Sequence, residues 1–413
     1  MEMRNDDVTD TLRWWVTFRD PRDTYRLHDS FLKCELVFLT GCVLTLIHAL
    51  RSGGRFRWLW LGVVLHGLWV EAISYNLPDI DNFWHAQGMV MFLGQRLPLY
   101  VIALYPLFLY TASVSVAHMG LSWWAQPFAV GLSVVLLDIP YDIMGIKNLW
   151  WTWHDTDPNI YDRHYYVPWT SYYFHATFAA GFTFVFHGLH RLVASDKKTT
   201  QNAGIFKELI CCLIASMCGF PLGVLQFIPV YHTLHDIFHI HSEVCALILF
   251  SVYTMILWTT FQSVARGLST TGKRKFRLDE ILTLVILHYT FYIYLVFTAK
   301  PENVVAVGLH EPVGPCNETT PVTTPFGHVL SRRKYLCLEE YDEPNFDFHC
   351  VKSPPPPGSE WYTICGTKFP NHAEYIVVVC AFCVFGLAWY LNLLLNMGSL
   401  PSTKATHTKP KQN

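Results

Sequence analysis

Of the 413 residues, 52% are hydrophobic and only 15% charged, against roughly 25% charged in soluble domains, which excludes a string of soluble domains. The formal net charge of −2 offers no basis for binding nucleic acid, and no such partner is expected. The first thirty residues are rich in charge and lack an apolar h-region, so no cleavable signal peptide is read there and the first apolar segment is expected to direct insertion.

Apolar segments of about 20 residues, each able to cross a hydrocarbon layer of roughly 30 Å, then follow one another. The pattern predicts nine spans, near 31–50, 58–76, 96–118, 122–146, 169–192, 207–229, 234–263, 279–299 and 373–397. A helix satisfies its own backbone in lipid, and these runs lack the short alternating segments of a barrel. The expected fold is all-α, a polytopic transmembrane helix bundle with a disulfide-containing lumenal loop between the last two spans. The expected organisation is a polar lumenal tail over 1–30, an eight-span bundle over 31–299, a Cys-rich lumenal loop over 300–372, a ninth span over 373–397 and a basic cytosolic tail over 398–413.

Basic loops set the orientation, because Lys and Arg collect on the cytosolic side. Arg51, Arg55 and Arg57, then Lys197, Lys198 and Lys207, then Arg266, Lys273, Arg274, Lys275 and Arg277 all fall on one face of a nine-span chain. The opposite face receives 77–95, 147–168, 230–235 and 300–372. The last of these holds Cys316, Cys337, Cys350 and Cys365 and the sequon Asn317-Glu318-Thr319, a combination that fits an oxidising lumen. Four cysteines allow two disulfides in three connectivities, and Asn317 is the expected glycosylation site. Lys409 and Lys411 resemble a dilysine retrieval signal of endoplasmic reticulum membrane proteins, although the charge rule alone also accounts for them. The expected location is the endoplasmic reticulum or a later secretory membrane, with the C-terminus cytosolic.

Residues 138–175 form the densest polar stretch, with carboxylates, histidines and aromatic rings set between apolar spans. Such groups are costly at membrane depth unless they face a cavity or water, so they mark a site. Glu71 stands some five residues below the lumenal end of the second span, roughly 7 to 8 Å of helix rise. Asp138 and Asp142 are four apart and share a helix face, with Pro140 between them. Together with His154 and Asp155 these are the candidates for general acid–base catalysis. Arg96, Trp151, Trp153, Arg163 and His175 are the candidates for substrate binding, as guanidinium partners of the carboxylates and as ring faces that steady a cation. The competing reading is a structural ion network and an interfacial aromatic belt.

On a 100° helical step His232, His235, His239 and Glu243 fall on one stripe, and His235-x-x-x-His239 has the spacing of a helical metal pair. These four are the metal candidates, with His154, His164 or His175 as a further ligand. The competing reading is a polar helix end held by hydrogen bonds. Zinc is the cofactor this pattern offers, and the acid–base reading requires none. His66 and His288 read as hydrogen-bonded core residues. His187 and His190 lie roughly 18 to 22 Å beyond His175 on one helix and form a separate group.

The order of a glutamate in an early span, Arg96-Leu97-Pro98-Leu99, an aspartate in the next long span, Trp151-x-Trp153 and Tyr166-Val167-Pro168-Trp169-x-Ser171 resembles the carotenoid-hydratase and spirocyclase-like integral membrane proteins of bacteria. The likeness covers roughly residues 60 to 190, and Ser171 stands where that family has asparagine. It implies acid-initiated addition or cyclisation on an isoprenoid-like lipid, with Glu71 and Asp138 handling the proton. The segment His235 to His239 is also similar to the late H-x-x-x-H of the alkaline ceramidase and adiponectin receptor superfamily, which implies zinc. The expected partner is a membrane lipid or isoprenoid substrate. The favoured class is an enzyme using intramembrane carboxylates at the lumenal side. The alternatives are a proton-coupled transporter or receptor with helices broken at Pro140 and Pro221, a zinc-dependent lipid hydrolase, and a scaffold without catalysis. Nothing in the sequence sets an oligomeric state.

Overall fold

The computed structural model describes residues 12–77, 80–194, 201–268 and 278–396. Lys197, Lys198, residues 269–277, the side chains of 262–268 and the C-terminal tail with its two lysines lie outside the described residues. The long helices are α1 (Asp29–Ser52), α2 (Phe56–Asn76), α3 (Leu99–Ala117), α4 (Gln126–Lys147), α5 (Trp169–Val193), α6 (Ile205–Leu225), α7 (Ser242–Leu268), α8 (Glu280–Thr298) and α9 (His372–Leu391). Eight of the helical segments are long and apolar enough to cross a membrane. The remaining one, α5, is 25 residues long, but its three histidines, three threonines and two tyrosines dilute its apolar character. It packs broadly against α4 and α6.

Two glycines four apart explain how closely α5 and α6 approach. A Cβ on Gly181 of α5 would lie 2.6 Å from the Gly219 carbonyl oxygen and 3.2 Å from the Gly223 nitrogen of α6. Small residues at this spacing let helix backbones touch where lipid gives no hydrophobic drive. Gly181→Val must therefore push α5 from α6, at a cost of about 1–3 kcal/mol. A fall in thermal stability of the detergent-solubilised protein checks this, with Gly188→Ala as the mild control, since a Cβ there meets only Trp123 ring carbons, the nearest at 3.3 Å.

Pro140 and Pro221 lie inside unbroken helices, contrary to the expectation of breaks there. The irregular turns sit instead at Pro106–Tyr110 within α3 and at Ile228–Ile237 after α6, both π-helical. Each carries a proline in its first two positions, where the missing N–H and the ring bulk displace the ordinary α-helical bond.

Short strands run through the connections: β1 (Val16–Phe18), β2 (Phe83–His85), β3 (Val90–Phe92), β4 (Leu97–Pro98), β5 (Trp151–Trp153), β6 (Arg163–His164) and β7 (Val167–Pro168). The order β1-β3-β4 makes one sheet, and β2 pairs with β5 so that Trp84 faces Thr152. Residues 300–371 are not a loop, and at this end the all-α expectation is corrected. They fold into a cap with strands β8 (Val305–Leu309), β9 (Thr319–Thr323), β10 (Val329–Arg333), β11 (Phe346–Asp347) and β12 (Trp361–Gly366). β12 lies between β8 and β11, and β9 and β10 form a hairpin. Segments of five or six residues carrying Val and Thr suit a pleated, half-buried surface. The cap has its own core, where Val304, Ala306, Leu336, Phe346 and Ile364 pack around Leu149 from the connection after α4. Of the three connectivities the structure has Cys316–Cys337 and Cys350–Cys365.

Residues 147–168 and the cap, expected on one face, pack against each other. Lys147 Nζ donates to Thr367 Oγ1 at 3.0 Å, and Asn345 Nδ2 donates to the Ile146 carbonyl at 3.1 Å. The N-terminal segment joins them through buried His28, whose Nε2 donates to the Asn148 carbonyl at 2.5 Å. Burial pulls His28 down to about 4, against the opposing effects of the Asn148 bond and the Asp29 charge. A depressed imidazole contributes stability that is present above its ordinary value near 6.5 and lost as pH falls through about 4. Limited proteolysis between residues 12 and 28 should accordingly accelerate from pH 6.5 to pH 4, and His28→Gln should flatten that dependence.

Candidate functional site

Beneath the cap, α2, α3, α4, α5 and α6 line a partly open cavity of about 460 Å³. Its wall is mostly aliphatic and aromatic, with Trp151, Trp153, Phe174 and Phe178 among the rings, and its roof includes Val322, Thr323 and Pro325 of the β9–β10 hairpin. Among the polar side chains that face it are Glu71, Asp142, Ser171 and His175 from three helices, with Asn82, His85 and His232 at other points of the wall.

Helical spacing builds the polar wall. Asp138 and Asp142 are one turn apart on α4, Ser171 and His175 one turn apart on α5, and the two pairs meet. Ser171 Oγ donates to Asp142 Oδ2 at 2.7 Å. His175 Nδ1 stands 2.9 Å from the Ser171 carbonyl oxygen and 3.2 Å from Asp138 Oδ2. Asp138 is fully buried, and neither of its oxygens accepts a hydrogen bond among the described residues. Asp138, Asp142 and His175 each offer one ligand atom, all within 4.8 Å of one another. Across the cavity, Tyr105 Oη donates to Glu71 Oε1 at 2.7 Å.

The other candidates lie elsewhere. Arg96 pairs with Asp81 and sits over the Tyr75 ring, 5.9 Å from its centroid. Arg163 pairs with Glu343 of the cap and donates to the His154 carbonyl at 2.8 Å. His154 and Asp155 do not line the cavity. They are buried under the cap, with His154 Nε2 at 2.9 Å from Glu311 Oε1. Burial, then the Glu311 charge, pushes the Asp155 carboxyl up to about 7, against His154 and Arg333. Burial likewise lifts Glu343 to about 8 despite Arg163.

The four metal candidates do not gather on a stripe, because the π-helical turn changes the angular step on which the stripe depends. Asp236 holds two of them, with Oδ2 2.8 Å from His232 Nδ1 and Oδ1 2.8 Å from His235 Nδ1. His239 has a left-handed φ of 54° in the break before α7 and is exposed, as is Glu243. His232 alone reaches the main cavity, while His235 and His239 line an open pocket of about 360 Å³ with Asp162 and His241.

Tyr105, Glu311 and Glu343 were not anticipated. Tyr105 carries no local mark among the aromatics of α3, and acidic residues in a polar cap look solvated. Arg55, read as a topogenic charge, is in fact 2% exposed. It meets Glu208 Oε2 at 2.9 Å and His187 Nδ1 at 2.9 Å, and His190 Nδ1 stands 3.1 Å from Glu208 Oε1. This network occupies the end of the bundle opposite the cap. His66 and His288 contact the backbone carbonyls of Ser216 and Leu137 at 3.2 and 2.9 Å. Asn317 is exposed in a turn of the cap.

These elements define a helical protein with, among the described residues, eight segments able to cross a bilayer, a disulfide-braced β-rich cap and a largely apolar cavity beneath it that carries Glu71 and Asp142. The chain belongs to the family of the domain of unknown function DUF7802, which it matches over residues 2–394. No curated protein and no solved structure matches it.

Proposed function

We propose that this chain is a multi-pass membrane enzyme acting on a lipid or isoprenoid-like substrate by acid–base chemistry. The supporting observation is that Glu71, Asp142 and His175, from three helices, line a single predominantly apolar cavity. An apolar cavity of this size with a few convergent polar groups suits a chain-like substrate. Glu71 is the proton donor, positioned by Tyr105, and the aromatic wall with Trp151 and Trp153 steadies the cation formed when an alkene takes that proton. With Nδ1 of His175 turned to the Ser171 carbonyl and Asp138, its Nε2 is the basic nitrogen that receives a proton from water or carbon. This chemistry agrees with the hydratase and spirocyclase resemblance and needs no cofactor.

In this reading α5 is the ninth span and the cap faces the lumen of the endoplasmic reticulum or a later compartment. Asn317 carries a glycan there, and the C-terminus is cytosolic. Untargeted lipid profiling of cells with and without the protein tests the activity: a substrate–product pair should change in opposite directions, and an unchanged profile would remove the proposal.

One observation favours a second reading. Asp138, Asp142 and His175 lie within ligand distance of one another, as a zinc-dependent lipid hydrolase would require. Loss of the lipid change after chelation, with recovery on zinc addition and not in Asp138→Asn, would support the hydrolase over the acid–base enzyme.

A further inference from the structure

A second buried group of ionisable side chains lies outside the cavity, at the seam between the cap and the connection after α4. His154 and Asp155 come from that connection and Glu311 from the cap, beside β8. Their side chains offer three ligand atoms within 4.8 Å of one another. The residues are 5%, 0% and 4% exposed, respectively, so none is a solvated surface charge.

Asp155 is the informative member. Neither of its carboxylate oxygens accepts a hydrogen bond among the described residues, and the nearest guanidinium nitrogen, Arg333 Nη1, stands 3.7 Å from Oδ2. Glu311 Oε1 lies 2.9 Å from His154 Nε2 yet makes no hydrogen bond, so it sits beside the axis of the nitrogen lone pair. Two ligands of one ion are close neighbours in this off-axis way. The surrounding cations are already engaged: Arg332 Nη1 reaches Asp157 Oδ2 at 2.6 Å, Arg163 pairs with Glu343, and Arg333 Nη2 reaches Glu340 Oε2 at 3.3 Å. Asp155 and Glu311 are thus left with less than one full counter-charge. Buried charge in that state is strongly disfavoured unless something cationic joins it.

The geometry points to a divalent transition-metal site formed by His154, Asp155 and Glu311 that clamps the cap onto the helix bundle. One imidazole with two carboxylates is a nitrogen–oxygen donor set that suits zinc or manganese, whereas calcium and magnesium take oxygen alone. Three protein ligands leave a position for water. Because the ligands come from both sides of the seam, binding the ion opposes lifting of the cap. The site is separate from the cavity trio and does not depend on the function proposed above. The competing arrangement is closed by a proton: the Thr156 N–H donates to His154 Nδ1 at 3.3 Å, which would keep a hydrogen on Nε2 and leave no lone pair there for a metal.

The full-length protein, purified in detergent, stripped with chelator and titrated with zinc chloride or manganese chloride, separates the two. The site requires about one metal per chain by elemental analysis, an affinity reduced at least about ten-fold in Asp155→Asn and in Glu311→Gln, and full retention in Asp138→Asn. Zinc should also slow proteolysis of the cap in the wild type but not in Asp155→Asn. Absence of stoichiometric metal from the wild type overturns the site. So does metal kept by Asp155→Asn and lost by Asp138→Asn, which would assign the ion to the cavity. Should Asp155→Asn not fold, cobalt loading of the wild type reads the same ligands: visible absorption that Glu311→Gln removes supports the site, and its absence overturns it.

Discussion

Glu71→Gln lowers turnover of the lipid substrate by about two to four orders of magnitude, the range of a positioned general acid, and leaves the fold intact. Glutamine keeps the shape of the side chain and the carbonyl oxygen that accepts from Tyr105 Oη, a contact of 2.7 Å. It loses the transferable proton. Because packing is conserved, thermal unfolding should change little, which separates a chemical defect from a folding defect. Tyr105→Phe should cost less, since it removes the group that orients Glu71 and not the proton itself. The measurement is the substrate–product pair in a lipid profile, at matched expression, for wild type, Glu71→Gln and Tyr105→Phe. Wild-type levels of product in Glu71→Gln would exclude Glu71 as the acid.

Replacing Cys350 and Cys365 together by serine should destabilise the cap by about 3 kcal/mol, the loop-closure value for a bridge of this span; the two cysteines are 15 residues apart. Cys365 is fully buried on β12, opposite Val305 of β8 and Asp347 of β11, so the bridge anchors the middle strand of the cap sheet. Serine there also buries a hydroxyl, which adds to the cost. The consequence extends to the cavity, because the β9–β10 hairpin of the same cap supplies Val322, Thr323 and Pro325 to its roof. Loosening the cap should admit water and lower activity along with stability. Protease resistance of 300–371 in denaturant, with and without the bridge, gives the size of the effect. An unchanged midpoint would show that the cap core around Leu149 carries the stability alone.

What the sequence determined by itself is local or additive. A run of some 20 apolar residues is a helix that can cross lipid whatever surrounds it, so most helices fell within a few residues of where hydropathy put them; the exception is the seventh, expected from 234 but starting at Ser242, after the π-helical turn. Glu71, Asp142 and His175 were legible for the same reason: a polar side chain in an apolar helix is conspicuous without knowledge of its partners. Four cysteines in a polar segment announced disulfides, but their pairing depends on which strands lie side by side in the cap. The tertiary structure alone decided which polar residues meet. It brought Glu71 from α2 to the same cavity as Asp142 and His175, and turned His154 and Asp155 away from it toward Glu311. It also dispersed the histidine stripe through a π-helical turn and buried Arg55 against Glu208. Apart from the π-helical turn, which is local, these outcomes rest on contacts between residues distant in the chain, where the cost of an unpaired buried charge is settled by the neighbours that packing supplies and not by the residues beside it in sequence.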